Sequence, residues 1–89
     1  MEFRWNAWNV EHIGRHSVTP EDAEVVVRNP RRPYPLYRKD GKWLVWGPGR
    51  GGRLLQVVFV IENDAAVFVI HARPLTEPEK RRYRRRDRK

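Results

Sequence analysis

Residues 53–73 read RLLQVVFVIENDAAVFVIHAR, two apolar runs set on either side of Asn63-Asp64. Runs this rich in β-branched and aromatic side chains fit strands, and Asn-Asp supplies turn chemistry. The stretch therefore predicts two antiparallel neighbours closed by a hairpin. Because the runs are nearly continuous, the pair should be central in its sheet, with both faces at least partly covered. Both runs also carry charge at one end. Arg53 opens the first, and His71 and Arg73 close the second. In an antiparallel pair the start of one strand lies near the end of the other, so Arg53 and Arg73 are expected at one edge of the sheet. His71 shares the side-chain parity of Arg73 and should point to the same face.

Upstream, the segments YRK and KWLVW flank Asp40-Gly41, a two-residue hairpin signal. GPGRGG (47–52) reads as a mobile hairpin loop. It lacks the Lys-Ser/Thr signature and the following helix of a phosphate-binding loop. RNPRRPYP (28–35) is too rich in proline for anything but a loop or sheet edge. Before it come two helices. Asn6 caps about two turns running to His16. Thr19-Pro20-Glu21-Asp22 starts the second, with a capping hydroxyl, proline in the first helical position and acids at the positive end of the dipole. Ala23, Val26 and Val27 form its inner face, and it stops at Asn29-Pro30. Thr76-Glu77-Pro78-Glu79 is another capping box and opens a last, basic helix. The order β-α-α-β-β-β-α defines an α+β class, a small antiparallel sheet packed by helices. Residues 1–84 make one domain. Residues 85–89 form a basic tail expected to fray, because arginines four apart repel.

A chain of 89 residues supports one modest core, burying about 60% of its surface on folding. It lacks an apolar run of about 18 residues, so no membrane span and a soluble, cytoplasmic protein are expected. The absence of cysteine excludes disulfides and thiolate metal sites and fits that compartment. The net charge of +8 is unevenly spread. Residues 28–53 hold Arg28, Arg31, Arg32, Arg38, Lys39, Lys42, Arg50 and Arg53 against Asp40 alone, and residues 80–89 hold eight basic side chains against Asp87. Clustered arginine of this kind is the footprint of a phosphate binder or of a protein with an acidic partner.

The pattern WNAWNVEHIGRHSVTPEDAEVV (5–26), a basic loop, GGRLLQVVF (51–59) and a closing IHARPLTEPEKRRYRR (70–85) resembles the BrnT family of bacterial type II toxins over essentially the whole chain. The resemblance implies a fold related to the RelE ribonucleases. It also implies an endoribonuclease that arrests translation and is silenced by a ribbon-helix-helix antitoxin, BrnA, in a complex compatible with a toxin dimer.

Metal-independent RNA cleavage needs a group to take the 2′-hydroxyl proton, a group to hold the phosphate and a group to protonate the leaving oxygen. Arg53 and Arg73 suit the second task, since guanidinium binds phosphate bidentately and stays charged. His71 suits proton transfer. Tyr83 is either a site residue or a packing anchor, being the one large apolar side chain on the last helix. It lies three residues from Lys80, so the two share a helix face. Arg38, Lys39, Lys42, Lys80 and Arg82 are the candidate RNA contacts. His12 and His16 are spaced like a zinc pair, but no nearby acid or cysteine completes a ligand set, so neither metal nor cofactor is expected. Of Trp43 and Trp46, which have opposite parity, at most one faces inward. The competing interpretation is a non-catalytic RNA-binding or regulatory module that uses the same basic edge for affinity only. The two differ in one requirement, a proton-transfer group beside the arginines.

Overall fold

In the computed structural model, which describes residues 1–87, Phe3–Arg4 forms β1 and Asn6 then caps α1 (Ala7–Gly14). The Asn6 side chain accepts from the Asn9 amide, and the Asn9 side chain accepts from Asn6 N–H. The helix ends two residues short of His16. Ser17 takes a positive φ of 60° there, and Val18 N–H turns back to the Ile13 carbonyl. Thr19 and Asp22 form the capping box of α2 (Pro20–Arg28), with proline in its first turn. A proline-rich loop leads to the short β2 (Leu36–Tyr37), followed by β3 (Lys42–Pro48), β4 (Leu54–Ile61), β5 (Val67–Pro74) and α3 (Glu77–Asp87). The capping box of α3 is closed by Thr76 and Glu79. Its backbone continues three residues past Arg84, the point at which like-charge repulsion predicts fraying. Arginine is a good helix former, and repulsion between exposed cations four apart costs only a few tenths of a kcal/mol. The rest of the proposed tail, residues 88 and 89, lies outside the described residues.

Among the described residues the sheet has five strands in the order β1-β5-β4-β3-β2, one more than the order β-α-α-β-β-β-α contains, because Leu36–Tyr37 pairs with β3 as a strand of its own. It is mixed, where a purely antiparallel sheet was expected. β1 lies parallel to β5 at one edge: the two helices carry the chain across to β2 at the far edge, which runs opposite to β1, and three antiparallel hairpin steps then bring β5 beside β1 in the same direction. The other connections are hairpins. Asp40 and Gly41 both have positive φ, as the type I′ turn between β2 and β3 requires. The turn after β4 is wider than Asn63-Asp64 alone: Ala65 N–H donates to the Glu62 carbonyl, and Ala65 itself holds φ 70°. Alanine in that region carries a steric cost of roughly 1–2 kcal/mol that glycine escapes. Ala65→Gly should therefore stabilise the fold by about 1 kcal/mol, raising Tm by roughly 4–8 °C. A thermal melt no higher than wild type would show that the extra chain entropy of glycine cancels the gain.

One side of this sheet is the core. Leu55, Val57 and Phe59 of β4 alternate with half-buried neighbours and lie beside Val45 of β3 and Val69 and Ala72 of β5. Ile13 of α1 and Ala23, Val26 and Val27 of α2 complete the same cluster. The GPGRGG loop is pinned. Asp22 Oδ1 accepts from Arg50 N–H at 3.0 Å, and a Cβ on Gly49 would stand 2.9 Å from that oxygen and from Leu55. The loop thus lies on the N-terminal end of α2, and Gly49 is small because a carboxylate and a core leucine meet there. No described helix is long and apolar enough to cross a membrane.

Candidate nucleic-acid interface

The sheet side opposite the core is only partly covered, and β5 reaches it through a bulge. Phe59 pairs with Val69, but Val58 pairs with His71, leaving Ile70 as the extra residue. Without it, parity counted from buried Val67 and Val69 would turn His71 and Arg73 into the core. The bulge reverses that parity. His71 and Arg73 come out opposite Val58 and Gln56, on the open side.

Arg73 is the centre of a polar row across three strands. Trp46 of β3 faces Gln56 of β4, which faces Arg73. The Gln56 carbonyl accepts from Trp46 Nε1 at 3.0 Å and from Arg73 Nη2 at 3.2 Å. Glu79 of α3 closes the row, accepting both guanidinium N–H groups at 2.8 and 2.9 Å. This bidentate pairing, and the Thr76 amide behind it, hold the Glu79 carboxyl down to about 2. One acid thus caps a helix and orients an arginine. In the sequence Glu79 reads only as a cap, and Gln56 carries no signal. The signal for the first was a carboxylate six residues beyond Arg73, across a proline turn.

His71 sits farther along the same face, half-buried between β5 and α1. Its ring centroid is 5.7 Å from that of His16 and 6.2 Å from that of His12, while Trp8 stacks on both His12 and Phe68. Burial, then the charges of His16, Arg73 and His12, hold the His71 imidazole below its ordinary 6.5, so it is neutral at pH 7. The three rings are neighbours, yet no group of three or more His, Cys, Asp or Glu among the described residues is placed to hold a metal ion.

The depressed value has a consequence for stability. Near and below pH 6.5 the unfolded chain binds this proton more readily than the folded one, so stability falls as pH drops through that window and recovers above it. Wild-type Tm should be lower at pH 5.5 than at pH 7.5, and His71→Gln should reduce the difference. Glu79 acts in a separate window: its contribution is present above 4.5 and is lost toward about 2. Identical pH profiles for the two proteins would remove His71 as the source.

Arg53 does not join Arg73. It shares parity with Leu55 and Val57, and its guanidinium is held on the helix side, donating to the Ser17 carbonyl at 2.6 Å and lying 3.7 Å from Asp22. The two arginines are near along the strands but on opposite faces. Tyr83 is a packing anchor: it is 5% exposed, its ring lies beside Tyr34, and its hydroxyl accepts from Arg31 Nε at 3.1 Å. Lys80 is paired with Glu77 at 3.1 Å. Lys39 and Lys42 are exposed at the β2–β3 hairpin.

The same docking of α3 brings the two basic blocks together. Arg31, from the first, lies 4.9 Å over the Tyr83 ring, and Arg82, from the second, lies 5.5 Å over the Trp46 ring. Arg38 and Arg82 border one cavity with Trp46 in its wall. A basic, aromatic surface therefore extends from the β2–β3 hairpin past Gln56 and Arg73 to His71. No family model matches the chain, and no curated protein or solved structure matches it either.

Proposed function

We propose that this protein is an RNA-directed toxin that cuts single-stranded RNA without a metal ion and thereby stops translation. The observation that supports this is the placement of a neutral, half-buried His71 on the open sheet face, at the end of a surface where two arginine-rich segments meet. On this proposal the strand bulge turns a proton acceptor toward RNA whose phosphates are held by Arg38, Lys42 and Arg82. His71 takes the 2′-hydroxyl proton, the 2′-oxygen bonds to phosphorus as the bond to the 5′-oxygen breaks, and water returns a proton to the leaving oxygen. Arg73 reaches the phosphate by exchanging Glu79 for it, the two being equivalent partners for its planar fork. The fold is then a RelE-like variant in a BrnT-type system, with a ribbon-helix-helix antitoxin as the protein partner. That assignment rests on the sequence resemblance.

In either reading the phosphate contacts fall to Arg38, Lys42 and Arg82 first, because Arg73 is paired with Glu79 and Arg53 is engaged on the other face; the affinity-only alternative then needs nothing of His71. The deciding test is incubation of purified protein with RNA in EDTA. Cleavage supports the enzyme; retention without cleavage supports the binding module. In cells, expression without an antitoxin should arrest growth, measured as loss of amino-acid incorporation. Normal growth with abundant folded protein would count against toxicity.

A further inference from the structure

A cavity of about 190 Å³ opens between the β2–β3 ribbon and α3, lined by Tyr34, Leu36, Arg38, Leu44, Trp46 and Arg82. Its parts come from three places in the chain. Leu36 and Leu44 are cross-strand partners and supply aliphatic surface. Tyr34 and Trp46 stack with centroids 5.9 Å apart, and Trp46 is fixed by its bond to Gln56. Arg38 is placed by the hairpin, where its N–H donates to the Lys42 carbonyl. Arg82 arrives from α3, over the Trp46 ring.

We propose that this cavity is a subsite for one extruded nucleotide of single-stranded RNA, its base against Trp46 and Leu44 and its phosphate between Arg38 and Arg82. This rests on the RNA reading above and names a place within it. Size, charge and shape each narrow the ligand. Pockets for drug-sized ligands span about 300–1,000 Å³, and at about 190 Å³ this one matches a single ring system better than a larger body. No carboxylate lines the cavity, and neither Arg38 nor Arg82 has a carboxylate partner among the described residues. Two such guanidinium groups at one rim favour an anion there, while Leu36, Leu44, Tyr34 and Trp46 favour a flat, largely apolar body. A nucleotide joins both properties in one molecule. Bases of single-stranded RNA stack on aromatic rings and on guanidinium planes alike, and Arg82 over Trp46 offers the two together. An acidic peptide would satisfy the arginines but would leave the aromatic wall unused.

The site is tested with the intact protein by two readouts. Fluorescence anisotropy follows a labelled single-stranded RNA, and tryptophan emission follows AMP, UMP, ribose 5-phosphate and inorganic phosphate. Nucleoside monophosphates should quench emission and displace RNA, ribose 5-phosphate and phosphate should do so at least tenfold less well, and Trp46→Phe should abolish most of the quenching. Arg82→Ala and Arg38→Ala should each weaken RNA binding by about tenfold, since each removes a phosphate contact and Arg82→Ala also removes a guanidinium plane beside the base. Circular dichroism checks that both variants remain folded. Equal potency of ribose 5-phosphate and the nucleotides would overturn the base pocket. RNA affinity unchanged in both arginine variants would overturn the subsite while leaving RNA binding standing elsewhere. Nucleotide quenching without any RNA binding would instead retain the pocket and defeat the RNA reading.

Discussion

His71→Ala should slow RNA cleavage in EDTA by about 10²-fold or more while leaving RNA affinity nearly unchanged, which is the signature of a lost proton transfer. The split between rate and affinity is the informative part. His71 is uncharged at neutral pH because burial and three nearby cationic or ionisable groups oppose its protonation. On the proposed function it therefore adds little to phosphate attraction, and removing it should leave RNA affinity unchanged. Arg73→Ala should instead weaken both binding and cleavage, because a phosphate contact serves each. His71 is half-buried, so the alanine variant must be shown to melt as a folded protein before its rate is interpreted. A folded variant that cuts as fast as wild type would make His71 structural and pass the chemistry to another group.

Asn9→Leu should destabilise the fold by about 3 kcal/mol, a Tm drop on the order of 10–20 °C. Asn9 has no solvent exposure, although it sits on an eight-residue helix at the sheet edge. Its amide Nδ2 donates to the Arg4 carbonyl and to the Val69 carbonyl, both at 3.1 Å, and its oxygen accepts from Asn6 N–H at 2.8 Å. One side chain thus ties α1 to β1 and to the buried part of β5. Leucine has similar bulk and no hydrogen-bonding atoms, so these backbone groups would lose their partners, and a buried orphan costs roughly 1–3 kcal/mol. A thermal melt within a few degrees of wild type would mean that water enters and replaces the amide.

Asn9 also shows what a sequence conceals. A polar residue near a helix start suggests a cap or a solvated face, and nothing in WNAWNVEH marks it as a buried clasp. The elements themselves were legible where local chemistry dictates them: Asn6 and Thr19 as caps, Asp40-Gly41 as a turn, and RLLQVVFVIE (53–62) and AVFVIHAR (66–73) as strands, each within a residue or so of β4 and β5. β1 was visible as extended chain, but its parallel pairing with β5 was not, because nothing local records which edge a crossover reaches. The bulge at Ile70 was hidden for a different reason. No glycine or proline signals it, and Ile70 is as good a strand residue as its neighbours. Parity could therefore place His71 and Arg73 on a common face without saying which face that was. For Arg53 the same ambiguity misled, since nearness along an antiparallel pair was taken for nearness in space. Glu79 was read correctly as a cap, but its second bond to Arg73 depends on the angle at which α3 leaves the sheet.

That departure angle has a dynamic consequence. α3 is anchored mainly by Tyr83, the buried side chain among its described residues, and by the Glu79–Arg73 pair at its first turn. So little burial cannot raise the helix's opening free energy to that of the sheet, and native-state hydrogen exchange should find α3 releasing on its own, well before β4 and β5 open. When it releases, Arg82 leaves Trp46 and Glu79 leaves Arg73, uncovering an indole and a guanidinium in one event. A ligand that bridges Arg38 on the ribbon and Arg82 on the helix would oppose that release, and slower exchange along α3 would then report occupancy.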